Sequence, residues 1–303
     1  METWSVIMPA PGTMDMPIVD VSSISRKYLD IPYATQSPNQ KLDIYLPPEG
    51  DGPFPTVIFV HGGAFVLGDK RDAQLLQALP GINRGYAVVS VEHRLAPEAK
   101  FPAALFDVKA AVRFLRANAA RYMLDGNRFA FSGDSAGGYY VNMAAATQWT
   151  TVFEDLSMGN AAYSSAVQAV HSRFGLCDFL VQSAAAHENP PMADPGADQI
   201  DIQLFGAPAK DIPGLMHFTN VLRYITRDFP PIYLQHGIDD MVVTVRHSYL
   251  MEEKVRTVCG ADRVEMDIYE GYNHGGIDLR WDAPEVNEKI FDFFDRRLKN
   301  AGN

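Results

Sequence analysis

The chain has 303 residues and a formal net charge of −11, with 47% hydrophobic and 21% charged residues. That acidity disfavours nucleic acid and anionic membranes as partners, and a chain this long buries about three quarters of its unfolded surface without disulfide staples. Cys177 and Cys259 form no metal or redox motif, the N-terminus lacks a secretory signal pattern, and no apolar run approaches the roughly 18 residues of a spanning helix, so free thiols and a cytoplasmic setting are expected.

Residues 1–25 show no clear period and read as an arm lying over the body. The stretch 41–47 alternates with period two, which predicts a strand with one wet face. Residues 56–60, Thr-Val-Ile-Phe-Val, form a continuous run typical of a strand buried on both faces. The run ends in His61-Gly62-Gly63-Ala64-Phe65. Successive glycines let backbone N–H groups turn inward, so this loop is suited to donate to an oxyanion. His61 reads as an orienting or structural residue of the loop and not as a base. A strand over 86–93 precedes a helix whose buried face is Leu105, Val108, Val112 and Leu115. Asp107 and Lys109 fall off that face and read as solvated charges.

A turn at 125–127 precedes a short apolar strand, 129–131, and then Gly133-Asp134-Ser135-Ala136-Gly137-Gly138. This is the G-x-S-x-G pattern at a strand-to-helix corner, with the helix expected over 139–148. A Cβ at Gly133 or Gly137 would obstruct the close approach such a corner needs, and the turn lifts the serine hydroxyl to a helix N-terminus. Ser135 is therefore the candidate nucleophile; Asp134 receives no role.

A strand is expected at 166–171. From 177 to 228 the periodicity fails among prolines, small residues and scattered apolar positions, which predicts a cap or lid insertion. Order returns with a strand at 231–236 that ends in Gly237-Ile238-Asp239-Asp240. A helix over 245–258 and a strand at 264–269 follow, the latter leading to His274 in a glycine-flanked loop. Asp282 is expected to cap a final helix that buries Val286, Ile290, Phe293 and Phe294. Strands and helices alternate throughout, so residues 1–303 are expected to form a single α/β domain around a mostly parallel, doubly wound sheet.

A serine hydroxyl is a weak nucleophile at neutral pH. It needs an imidazole to take its proton, and the imidazole needs a carboxylate to fix its tautomer. His274 fits the base. His61 belongs to the glycine loop, His93 and His236 end strands, and His171, His187, His217 and His247 fit less well. Asp239 and Asp240 are both placed to serve as the acid.

Five pieces in this order resemble α/β-hydrolases of the esterase/lipase type, especially hormone-sensitive-lipase-like and bacterial feruloyl-esterase-like carboxylesterases. They are His61 to Phe65, Arg94-Leu-Ala-Pro-Glu98 with Phe101-Pro102, Gly133 to Gly138, His236 to Asp240, and His274-Gly-Gly276. The likeness runs from about residue 41 to the C-terminus. It implies the chain order serine, acid, histidine, and its motif register selects Asp240, with Val243 as the aliphatic residue three positions on. Asp239 is then a turn residue bonded to nearby backbone. The resemblance implies oxyanion donors at Ala136, Gly63 and Ala64, although Ala64 stands where similar enzymes usually carry a third glycine. It also implies a cap over the site, the segment at about 177–228. The function expected is hydrolysis of small-molecule esters, short-acyl or aryl, with no cofactor and no metal. Two other readings remain: an amide or formamide hydrolase, peptidase- or kynurenine-formamidase-like, and a non-catalytic binding protein, which usually lacks a triad member.

Overall fold

The structure is a computed structural model that describes residues 4–8, 17–188, 197–276 and 278–299. Its strands in chain order are β1 (Val6–Ile7), β2 (Ile18–Val19), β3 (Lys27–Pro32), β4 (Lys41–Tyr45), β5 (Phe54–Val60), β6 (Ala87–Val91), β7 (Leu124–Asp134), β8 (Ala169–Arg173), β9 (Ile232–Gly237) and β10 (Val264–Tyr269). The main sheet has eight strands in the order β10-β9-β8-β7-β5-β6-β4-β3. The run from β10 to β6 is parallel, and β4 and β3 add antiparallel to it.

Both faces of the central strands are covered, which is why β5 reads as an unbroken apolar run. Ile58 and Val60 join the largest core cluster, with Leu105, Val108 and Val112 of α1 (Ala103–Ala117) and Val141 of α2 (Ala136–Ala146). Val57 points the other way, to Ile290, Phe293 and Phe294 of α7 (Pro284–Phe294). The helix before β10 is α6 (Arg246–Cys259).

Several expectations are corrected. Strand β4 has no wet face: Leu42, Ile44 and Tyr45 are all buried, because the strand lies between β3 and β6 and residues 19–24 pack over Tyr45. Its Asp43 is buried too, with Arg71 Nε 2.5 Å from its carboxylate. Asp107 and Lys109 are not solvated charges; both are fully buried. Arg94 and Gln40 bond Asp107, at 2.8 and 2.7 Å. Lys109 reaches Thr147 O at 3.1 Å and Glu154 at 3.4 Å. Periodicity identifies an apolar face but cannot reveal a charge buried opposite its partner. The 125–127 turn lies inside β7, where Asn127 N–H bonds Asp125 Oδ1 at 2.9 Å and the register with β5 shifts. Asp282 does not cap α7; it ends a 3₁₀ turn, and Pro284 opens the helix.

The arm is more structured than its lack of period suggests. β1 pairs with β2, Ile18 bridges to Asp72, and Val19, Val21 and Ile24 are buried. Residues 1–3 and 9–16 of the arm lie outside the described residues. The segment 177–228 folds into α3 (Phe179–Glu188), α4 (Ala197–Phe205) and α5 (Pro213–Thr219). Helices of 10, 9 and 7 residues are too short for a clear period, and the breaker-rich residues 189–196 between α3 and α4 lie outside the described residues. Phe179, Leu204 and Met216 bury themselves in the main core.

Candidate active site

All four loops singled out by sequence leave the same, C-terminal edge of the parallel strands. The glycine loop follows β5, the serine corner follows β7, Asp240 follows β9 and His274 follows β10. In open α/β sheets this edge is where ligands bind.

At the corner, Ser135 takes φ 53° and ψ −118°, a conformation side chains rarely adopt, and opens α2. The glycines on either side allow it. A Cβ on Gly137 would stand 2.1 Å from Val60 O, and one on Gly133 would stand 2.7 Å from Gly137 O. The serine is thereby raised above the sheet.

His274 Nε2 lies 3.0 Å from Ser135 Oγ, and His274 Nδ1 lies 2.7 Å from Asp240 Oδ2. A carboxylate only accepts, so Nδ1 carries the proton and Nε2 is left as an acceptor facing the hydroxyl. Asp240 is buried, and its other oxygen accepts the backbone N–H groups of Val242 and Val243, each at 2.8 Å. Burial alone would raise its pKa, but hydrogen bonds from His236 and His274 outweigh it and hold the carboxyl well below the usual range. Asp239 is exposed; among the described residues its side chain bonds no backbone group, unlike the turn role expected, and its N–H donates to Tyr272 O at 3.1 Å.

In the glycine loop, the Gly62 N–H is taken by Gln74 Oε1 at 2.8 Å. The N–H groups of Gly63, Ala64 and Ala136 have no acceptor among the described residues. Gly63 and Ala64 have φ of 116° and 50°, so the loop tolerates the extra Cβ of Ala64 at a cost of about 1–2 kcal/mol. His61 is buried beneath, with Nδ1 2.7 Å from Gly62 O and its ring stacked on His93 at 4.5 Å. Burial opposes its charge, but Glu92 and Asp72 raise its pKa to about 9, whereas burial pushes His93 down to about 3.

Two neighbours were given no part in the site by sequence. Phe174 lays its ring 4.3 Å from that of His274 and limits its rotation; nothing local in the sequence marks it. His236 Nε2 lies 2.9 Å from Val243 O and 3.4 Å from Asp240 Oδ2, while its Nδ1 faces Ser248 Oγ at 2.7 Å. Its position four residues before Asp240 was a usable signal. Asp134, left without a role, is fully buried against Gln77, and burial pushes its carboxyl up to about 6. Among the described residues no cluster of His, Cys, Asp and Glu has the makings of a metal site.

The parallel sheet with its serine corner, glycine loop and late histidine has the α/β-hydrolase fold. Residues 42–255 match the BD-FAE family, and the chain belongs to it. Esterase LipC of Mycobacterium tuberculosis is 26% identical over 74% of this chain and 53% of its own length. The probable isoprenylcysteine alpha-carbonyl methylesterase ICMEL1 of Arabidopsis thaliana is 27% identical over 84% of this chain and 53% of its own length. The chain thus spans about half the length of the curated relatives it matches. Among solved structures, a truncated carbohydrate esterase from gut microbiota shares the fold with a TM-score of 0.80. It is 24% identical, over 92% of this chain and 99% of the other. A bifunctional GH43-CE protein of Bacteroides eggerthii aligns with a TM-score of 0.77 at 29% identity, over 92% of this chain and 39% of that one.

Proposed function

We propose that the chain is a serine esterase that cleaves carboxylic esters through an acyl-enzyme on Ser135. The observation that carries this reading is the continuous contact from Ser135 Oγ through His274 to Asp240, 3.0 and 2.7 Å, at a strained strand-to-helix corner. In the first step Ser135 Oγ attacks the ester carbonyl carbon while its proton passes to His274 Nε2. Asp240, kept ionised, stabilises the imidazolium and does not itself take the proton. The N–H groups of Gly63, Ala64 and Ala136 receive the oxyanion. Collapse breaks the bond to the alcohol, which leaves with the proton from His274. Water then attacks the acyl-enzyme by the same route, releasing the acid and restoring the serine.

The substrates proposed are small, short-acyl or aryl esters. Two observations on α3–α5 support this: Phe179, Leu204 and Met216 turn into the core, and the large apolar side chains these helices expose among the described residues, Leu180, Ile202 and Phe218, stand one to a helix and not along one long helix face. Residues 177–228 are proposed as the cap over the site. The similarity to a carbohydrate esterase adds acetylated sugars to the esters to be tried. A cytoplasmic setting is proposed from the two free thiols and from the sequence; among the described residues no helix is long and apolar enough to cross a membrane.

The test joins labelling and turnover. A fluorophosphonate probe should add once, to Ser135, and Ser135→Ala should lose about 10⁴–10⁶ in kcat on p-nitrophenyl butyrate while staying folded. An adduct elsewhere, or turnover preserved in the alanine variant, refutes the assignment. A steady rise in kcat/KM from acetate to palmitate esters, with activation at an oil–water interface, overturns the short-acyl part alone.

A further inference from the structure

Between β5 and β6 the chain makes a 3₁₀ turn, Ala73–Gln77, that belongs to none of the motifs. Its first residues are capped by Asp72, whose Oδ1 accepts the Gln74 N–H at 2.9 Å. Side chains three apart on a 3₁₀ turn eclipse one another, so Gln74 and Gln77 project to the same side. That side faces the site. Gln74 Oε1 accepts the Gly62 N–H at 2.8 Å, and its Nε2 is anchored on Asp72 Oδ2 at 3.0 Å. Gln77 Nε2 donates to Asp134 Oδ2 at 2.5 Å and to Gln74 O at 3.2 Å. One glutamine thus holds the glycine loop, and the other holds the residue just before Ser135.

The two holds meet at Gly62. A Cβ there would lie 2.8 Å from Gln74 Oε1, 2.9 Å from Asp134 O and 3.1 Å from Ser135 Cβ. Loop, corner and turn therefore touch with no spare room. The turn is itself rigid: Leu75, Ala78 and Leu79 pack with Val19, Tyr45 and Phe59, and Ile18 bridges to Asp72. An oxyanion pocket needs its donors fixed before charge develops. Its donors come from two separate loops, so something must set the distance between them.

We propose that Gln74 and Gln77 are positioning residues for the oxyanion pocket. Gln74 removes the Gly62 N–H from play and sets the peptide planes that turn the Gly63 and Ala64 N–H groups toward Ser135. Gln77 ties the serine corner to the same turn, which fixes the Ala136 N–H relative to the other two. This rests on the serine-esterase reading above.

The experiment compares Gln74→Met and Gln77→Met, which keep the side-chain bulk and lose the hydrogen bonds, with wild type and Ser135→Ala. Loss of a whole oxyanion donor costs about 10²–10³ in kcat, so misaiming donors should cost about 10–100-fold. KM for p-nitrophenyl butyrate should stay within about threefold, since the pocket acts on the transition state and not on ground-state binding. Affinity for a trifluoromethyl ketone, which forms an oxyanion adduct with the serine, should fall by the same factor as kcat. The pH profile should not move. Thermal unfolding separates this from loss of fold, and Gln77→Met carries the test if Gln74→Met does not fold. A folded variant with lower thermal stability but unchanged kcat and ketone affinity overturns the proposal, leaving the esterase reading intact. Turnover retained by Ser135→Ala overturns that reading instead.

Discussion

Replacing Asp240 by Asn tests the proposed acid at a single atom. Asp240 Oδ1 accepts two backbone N–H groups, from Val242 and Val243 at 2.8 Å each. An asparagine must keep its carbonyl oxygen there, because an amide NH₂ in that position would leave both buried donors unsatisfied, at about 1–3 kcal/mol each. Its NH₂ is then forced to the Oδ2 position, 2.7 Å from His274 Nδ1. A donor facing Nδ1 selects the tautomer with the proton on Nε2. That nitrogen now donates to Ser135 Oγ, 3.0 Å away, and no longer accepts from it. Loss of the correct tautomer in serine hydrolases lowers kcat by about 10⁴, or roughly 5.5 kcal/mol of transition-state stabilisation. The assay is kcat on p-nitrophenyl butyrate at pH 8, with Asp239→Asn measured beside it and both melts recorded. Asp239 is exposed, so its variant should stay within about threefold of wild type. Asp240→Asn within tenfold of wild type, or the larger loss at Asp239, would refute the reasoning.

Other predictions concern the surroundings of the site. Asp134 is held at about 6 by burial, above its ordinary 3.8, so the folded state binds more protons than the unfolded one between those values. Stability should therefore fall as pH rises through about 4 to 6 and level off above. From pH 5 to 8 the wild type should lose roughly 1 kcal/mol that Asp134→Asn does not, measured by urea unfolding; parallel pH curves would exclude this. His236→Phe removes the donor to Val243 O and the acceptor of Ser248 Oγ in a buried pocket. It should cost about 1–3 kcal/mol per unsatisfied group in the same unfolding assay, with a smaller kcat loss than Asp240→Asn. At Ala64, φ 50°, glycine should leave kcat unchanged and stability within about 1 kcal/mol, whereas Ala64→Val should lower both; a fully active valine variant would show that the loop angle is not needed.

The elements legible in the sequence were those decided locally. An unbroken apolar run marks a strand with two covered faces, as in β5 and β7, and Gly133 and Gly137 announce a corner because no other residue fits the backbone there. Ser135 and His274 were readable from turn chemistry and chain order, whereas only the motif register of the family resemblance separated Asp240 from Asp239. Short helices were not: α3, α4 and α5 owe their place to Phe179, Leu204 and Met216 meeting a core built elsewhere, so no period appears within them. Nor were the buried charges. Asp107 and Lys109 look solvated until Arg94 and Glu154 come from 13 residues before Asp107 and from beyond α2 to meet them. The same holds for the parts that position the site. Asp240 lies 34 residues from His274, and His274 139 from Ser135, so their hydrogen bonds exist only once the sheet order has brought the loops to one edge. Gln74 and Gln77 carry no signature at all, since an amide side chain gains a role only from the groups it faces. Local sequence determines backbone conformation and which side is apolar; which polar groups meet is decided by tertiary packing, because a hydrogen bond depends on position to within a few tenths of an ångström.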